Sequence, residues 1–155
     1  MIRKMHPDEY GLLKGFLYDA VYRPEGTTPP PIEIVNHPTM RIYYDAFGSE
    51  RSDIALCAET DSQIIGAIWC RRMHGYGFIR DGIPELAMAV KAPYRRQGTG
   101  RQLLHALLCE LGNLEYEAVS LSVQKGNFAS AMYRKAGFRI FRETEDEYIM
   151  IYEFR

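Results

Sequence analysis

No stretch of this 155-residue chain is apolar for long enough to span a bilayer. The opening "MIRKMHPDEY" has no apolar signal-peptide core. Charge of one sign is also lacking. Nineteen Lys and Arg against 20 Asp and Glu leave a net charge of −1, which excludes a globally cationic nucleic-acid or membrane binder. Cysteine is scarce: Cys57, Cys70 and Cys109 are odd in number and widely spaced, so a disulfide framework is excluded. Each lies in an apolar pattern, and three buried, reduced thiols in a cytoplasmic protein are expected. His6, His37, His74 and His105 show no ligand spacing with these cysteines, so no metal site is expected. Internal repeats and linkers are absent. With 46% hydrophobic and 25% charged residues the chain has enough apolar surface for a core, and one domain over 1–155 is expected.

Hydrophobic periodicity is what the chain does have. "MIRKM" reads as a strand. "EYGLLKGFLYDAVY" carries a helical stripe at Leu12, Leu13, Phe16, Leu17, Ala20 and Val21, weakened by Gly11 and Gly15. Pro29, Pro30 and Pro31 make the next segment a loop. "TMRIYYDAFG" predicts a short second helix. "DIALCAET" and "QIIGAIWCRRM" predict a hairpin around Asp61-Ser62. After the glycine-rich "HGYGFIRDGIP" come a strand "ELAMAVK", a helix "GRQLLHALLCELG" and a strand "YEAVSLSVQ". Asn127 then caps the helix "FASAMYRKAG", which Gly137 ends. The strands "FRIFRE" and "EYIMIYEF" close the chain. The mixture predicts one α/β sheet domain. Aromatics and an edge on the last two strands point to a homodimer.

"YRRQGTG", residues 94–100, stands between a strand and a helix. A helix N-terminus has unpaired N–H groups and partial positive charge, so it binds anions. Gly98 and Gly100 permit φ > 0 and close backbone approach. Arg95, Arg96 and Arg101 add charge-assisted donors. A phosphate or pyrophosphate ligand follows; the alternative is an ordinary strand-to-helix turn with solvated arginines. A Walker loop is excluded because Arg101 and Gln102 follow Gly100 where Lys and Ser/Thr are needed. A dinucleotide fingerprint is disfavoured because residue 103 is leucine and the motif lies past mid-chain.

The pattern V-x-x-x-x-R-x-x-G-x-G-x-x-L-L, Val90 through Leu104, resembles the central motif of the GNAT superfamily of acetyl-CoA-dependent N-acetyltransferases. "NFASAMYRKAGF", Asn127 to Phe138, is similar to the motif that follows it there. The order of elements also matches over nearly the whole chain. The resemblance implies a mixed, mostly antiparallel sheet with a splayed central strand pair and about four flanking helices. It implies that Met88, Ala89 and Val90 present backbone groups to the pantetheine arm at a bulge that splays the strand. It further implies that Arg95, Arg96, Gln97, Gly98, Thr99, Gly100 and Arg101 wrap the pyrophosphate, and that Asn127 and Ser130 meet the cofactor. Tyr133 aligns with a tyrosine that is the general acid in many members.

Acetyl transfer to an amine fits these roles. The amine must lose a proton, since its pKa is about 10. The oxyanion needs a donor, for which the Val90 amide is the candidate. The departing thiolate can take a proton from a phenol, and Tyr133 is also readable as an amphipathic core tyrosine. Some members carry a glutamate on the strand before the asparagine; here "SLSVQKGN" has Ser122 and no carboxylate. Glu85 is the substitute base, a water relay the other possibility, and an exposed strand-end carboxylate the structural alternative. Tyr22, Tyr44 and Trp69 are candidates to line an apolar or cation-binding acceptor cleft, against ordinary core and surface aromatics. Arg71 and Arg72 end a strand, to meet an acidic substrate or to be solvated. Two functions are open: an N-acetyltransferase using acetyl-CoA on a small amine, peptide N-terminus or lysine, or a non-catalytic acyl-CoA-binding sensor.

Overall fold

Alternation along the strands decides which element covers which side of the sheet. In the computed structural model, which describes all 155 residues, the strands are β1 Ile2–Lys4, β2 Ile54–Thr60, β3 Gln63–Arg71, β4 Glu85–Val90, β5 Ala118–Gln124, β6 Arg139–Glu143 and β7 Glu147–Glu153. The helices are α1 Leu13–Ala20, α2 Pro38–Arg41, α3 Thr99–Asn113 and α4 Ala129–Ala136. The strands form one sheet in the order β1-β2-β3-β4-β5-β7-β6. Every neighbouring pair is antiparallel except β4–β5, which is parallel.

Leu86, Met88 and Val90 of β4 and Val119, Leu121 and Val123 of β5 face α3 and α4, where they join Leu103, Leu104, Leu107, Leu111 and Tyr133 in one apolar cluster. The four leucines are the i, i+1, i+4, i+8 stripe of an amphipathic helix. Ala87 and Ala89 face the other side and pack with Leu13, Phe16 and Leu17 of α1 and with Tyr43 and Trp69. The β2–β3 hairpin turns at Asp61 and Ser62 with φ 50° and 63°, the doubly left-handed turn that matches strand twist. Gly137, at φ 114°, ends α4 as expected.

Three expectations are corrected. The helix expected over 39–48 is only the single turn of α2. Beyond it, the guanidinium of Arg71 donates to the carbonyls of Ile42 (3.1 Å) and Asp45 (2.7 Å), and the Trp69 indole donates to that of Tyr43 (3.0 Å). Side chains from β3 take carbonyls that a continuing helix would use. Arg71 is therefore neither solvated nor free for substrate. It is buried and also grips Asp53 with Nε at 3.2 Å and a terminal nitrogen at 3.0 Å. Cys57 and Cys70 are buried free thiols, but Cys109 is exposed on the α3 face opposite the leucine stripe, 3.6 Å from His105 Nε2.

Candidate active site

β4 and β5 meet at one Cα pair, Glu85 with Ser120, and then diverge. The backbone of β4 beyond that point has a ladder partner on one side only. Lys91 N donates to Ile65 O at 2.8 Å, so Lys91–Ile65 is a hydrogen-bonded pair of the antiparallel β3–β4 ladder. Such pairs alternate, so Ala89 opposite Ala67 is the next one, and Met88 and Val90 point their N–H and C=O groups away from β3. Met88 and Val90 therefore present backbone groups to the wedge; those of Ala89 are turned to β3, contrary to expectation. The β3–β4 register runs unshifted from Glu85 to Val90, so no bulge opens the wedge. The segment after β3 takes part of that space. Ser120 N donates to Pro84 O, Ser120 Oγ donates to Gly77 O at 2.7 Å, and Gly77 lies directly against Leu121 and Ser122.

The expected anion cradle lies at the open end of this wedge. The first N–H that α3 itself uses is that of Gln102, bonded to Gly98 O at 3.0 Å, so those of Thr99, Gly100 and Arg101 are left for an outside acceptor. Gly98 adopts φ 86°, and Arg96 adopts φ 62°, a conformation uncommon outside glycine. Gly100 has no positive φ. Its role is to seat the first turn of α3 near Met88 and Met132, whose side chains stand 3.6 and 3.7 Å from where a Cβ would be. Gln97 and Thr99 flank Gly98 in the turn. Arg95 points elsewhere: its Nε donates to Val90 O at 2.7 Å and one terminal nitrogen to Asp19 O at 3.4 Å, tying β4 to the end of α1. Arg96 stands over the exposed ring of Phe128, 5.7 Å from its centroid. Asn127 Oδ1 accepts from Ala129 N at 2.9 Å and Asn127 O accepts from Ser130 N, so Asn127 starts α4 as expected.

Glu85 is not an exposed strand end. It is 1% exposed, on the face of β4 opposite α3. Oε2 accepts from the Tyr43 hydroxyl and from Gly77 N at 3.0 Å; Oε1 is buried without a partner. Burial raises its pKa to about 7, against the opposing pull of those two donors. Ser122 and Glu147 lie on the same face of the sheet, since their strand neighbours Leu121, Val123, Tyr148 and Met150 pack on the other. Burial also raises the Glu147 pKa, and its charge bears on both Glu85 and Tyr43. Tyr133 is buried edge-on against Phe138, with centroids 5.7 Å apart. Burial pushes its phenol pKa up, so it stays protonated.

The acceptor-side aromatics do not gather into one cleft. Trp69 is fully buried in the core beneath α1, so it lines no cleft. Its indole size and N–H suit a core position with one fixed acceptor, Tyr43 O. Tyr44 ties its hydroxyl to Val35 O at 2.8 Å. Tyr22 reaches across to Gly126 O at 3.1 Å, beside Asn127. The sequence reading missed Tyr43, Gly75 and Gly77. The two glycines flanking Tyr76 were a signal; nothing near Tyr43 marked it out.

Comparison with known proteins accounts for this arrangement. Residues 19–138 match the model of the acetyltransferase (GNAT) family. The chain belongs to that family. No curated protein matches it in sequence. Solved structures match over nearly the full length. A GNAT-family acetyltransferase from Streptococcus pneumoniae has a TM-score of 0.68 at 22% identity, covering 99% of this chain and 98% of its own. The ribosomal-protein-alanine N-acetyltransferase of Brucella melitensis gives 0.66 at 22%, with 99% of each chain covered. The PaiA N-acetyltransferase of Thermoplasma acidophilum, solved with coenzyme A, gives 0.70 at 20%, covering 99% and 98%. The single-domain α/β fold is that of these neighbours, and no helix is long and apolar enough to cross a membrane.

Proposed function

We propose that this chain transfers an acetyl group from acetyl-CoA to an amine by direct attack in a ternary complex, the amine being a small molecule, a peptide N-terminus or a lysine. The observation that carries the reading is the wedge. A β4 edge with free N–H and C=O groups at Met88 and a free N–H at Val90, whose C=O is held by Arg95, leads to the N-terminus of α3 with three free N–H groups. An extended amide-bearing arm fits the first, and a pyrophosphate fits the second. The neighbour solved with coenzyme A supports the same ligand. When bound, acetyl-CoA supplies the acyl carbon and the thiolate leaving group.

In this reading the Val90 N–H stabilises negative charge on the acyl oxygen. Tyr133, buried and protonated, gives a proton to the departing thiolate. Glu85, with a pKa of about 7, takes the proton from the amine. Strand geometry adds a constraint. At about 3.3 Å per residue, Glu85 lies about 10 Å along β4 from Met88 and about 17 Å from Val90. The proton therefore travels to Glu85 through water. Tyr22, half-buried beside the β5–α4 turn, is the one acceptor-side aromatic retained. A cytoplasmic location suits the free thiols, and a homodimer is proposed for the assembly.

The experiment is release of free CoA from acetyl-CoA across a panel of primary amines, terminal peptides and lysine peptides. Turnover with one class supports the transferase. A second reading, a non-catalytic acyl-CoA sensor, draws on the 1% exposure of Glu85. Tight acetyl-CoA binding with no turnover across the panel would select the sensor, and absence of binding would sink both.

A further inference from the structure

A closed set of contacts surrounds the foot of β4. Tyr43 donates its hydroxyl proton to Glu85 Oε2 and accepts on the same oxygen from Tyr76 N at 3.0 Å. Gly77 N donates to that carboxylate oxygen as well, and Gly77 O accepts from Ser120 Oγ. The Tyr43 and Tyr76 rings stack with centroids 6.5 Å apart. The segment over the carboxylate closes only because it carries glycine. A Cβ at Gly75 would stand 2.5 Å from Glu85 Oε1 and 2.6 Å from the Tyr43 hydroxyl; one at Gly77 would stand 2.6 Å from the Leu121 carbonyl carbon. Oε1, alone of the buried side-chain oxygens and nitrogens, has no partner. A buried acceptor left unmatched normally costs stability, so its persistence calls for a role.

We propose that Tyr43 is a positioning residue for Glu85. It ties one carboxylate oxygen down and holds the glycine segment in place, leaving Oε1 as the oxygen that receives the amine's proton. This rests on the reading of Glu85 as the base. The proton balance is simple. The acceptor ammonium loses one proton to water, that water's proton passes to Oε1, and the carboxylate becomes a carboxyl group that later releases the proton to solvent. Tyr43 stays protonated, because burial and the neighbouring Glu85 charge push its pKa up, so it remains a donor throughout. The groups that bear on Glu85 are Tyr43 from the turn after α2, Gly77 N from the covering segment and Glu147 from β7. The first two favour the carboxylate, and Glu147 disfavours it.

The test compares pH profiles of kcat/KM for the wild type, Tyr43→Phe and Gly75→Ala, alongside a ¹³C-carboxyl NMR titration of Glu85. Losing the hydroxyl removes a donor to the charged form, so the Glu85 pKa rises and the acid limb moves up by about one pH unit. At pH 6 that is about a tenfold loss relative to the wild type, with KM for acetyl-CoA unchanged. Gly75→Ala, which intrudes between the hydroxyl and Oε1 but removes neither, moves the limb the same way. A uniform drop at all pH values with the limb and the NMR titration in place overturns the proposal; it would mean that Tyr43 only packs. The base reading is checked separately. Should Glu85→Gln keep the wild-type rate, Glu85 is not the base and Tyr43 positions nothing catalytic, even if the NMR titration still moves with Tyr43→Phe. If Tyr43→Phe does not fold, Gly75→Ala and the NMR titration decide.

Discussion

Glu85 has opposing demands on it. Burial disfavours its charged form, while Tyr43 and Gly77 N favour it, and burial wins, leaving the pKa at about 7. The folded state therefore holds the proton more tightly than the unfolded chain, whose glutamate titrates near the ordinary value of 4.5. The stability this lends is fully present below about pH 4.5 and is lost as pH rises through about 7. Glu85→Gln removes that dependence. Denaturant titrations should show the variant gaining on the wild type between pH 5 and pH 8, by on the order of 3 kcal/mol. Parallel curves would mean that Glu85 is not the raised group. Tyr133→Phe tests the other proton transfer. It keeps the ring against Phe138 and removes one hydroxyl. We expect kcat to fall by about 10²-fold with KM for acetyl-CoA nearly unchanged, and an unaltered kcat would make Tyr133 a packing residue. Glu85 and Tyr133 were legible as candidates because each has a fixed place beside a motif. The burial of Glu85 was not, because it is imposed by Tyr43 and Gly77, which are 42 and 8 residues away in sequence.

At the scale of elements, the turn into α3 separates two glycines that look alike in sequence. Gly98 requires glycine for its backbone, at φ 86° with only the Arg101 guanidinium, at 3.9 Å, near a would-be Cβ. Gly100 has an ordinary backbone and ordinary van der Waals neighbours. Gly98→Val should therefore strain the turn by about 1–2 kcal/mol and disturb the N–H cradle. Acetyl-CoA should raise the melting temperature of the wild type and leave that of Gly98→Val nearly unmoved. Gly100→Ala should fold without strain, so any loss of the shift there reports contact with the ligand itself. A Gly98→Val protein that binds acetyl-CoA as well as the wild type puts the phosphate cradle elsewhere. Elements set by their own residues were legible: the hairpin at Asp61-Ser62, the leucine stripe of α3, the Gly137 stop. α2 was not, because its length is decided by Arg71 and Trp69 from β3 rather than by its own helix propensity.

For the whole molecule, two motifs spaced by one helix and one strand were enough to read the sheet, its splayed centre and its family. Sheet order was not readable from them, and it bears on assembly. β7 lies between β5 and β6, so its backbone is paired on both sides, and β6 is the outer edge instead. That edge reads Arg139-Ile140-Phe141-Arg142-Glu143, with Phe141 44% exposed. β6 is not a regular edge: its register shifts between Ile140 and Arg142, so Phe141 is an extra residue, and Arg139 (opposite Ile151) and Glu143 (opposite Tyr148) point to opposite faces of the sheet. Two copies of β6 paired antiparallel about Phe141 would therefore join through backbone and the exposed phenylalanines, not through a charge pair. Within one chain Arg139 already meets Glu153, and Glu143 meets Lys125, one pair on each face of the strand. The expected result is a homodimer by light scattering at micromolar concentration. Phe141→Lys, which puts a charge at the centre of the edge, should yield monomers that still bind acetyl-CoA, because β6 lies apart from the β4–β5 wedge. A monomeric wild type, or a dimer indifferent to Phe141→Lys, would show that this edge is guarded by its bulge and its charges rather than joined to a second copy.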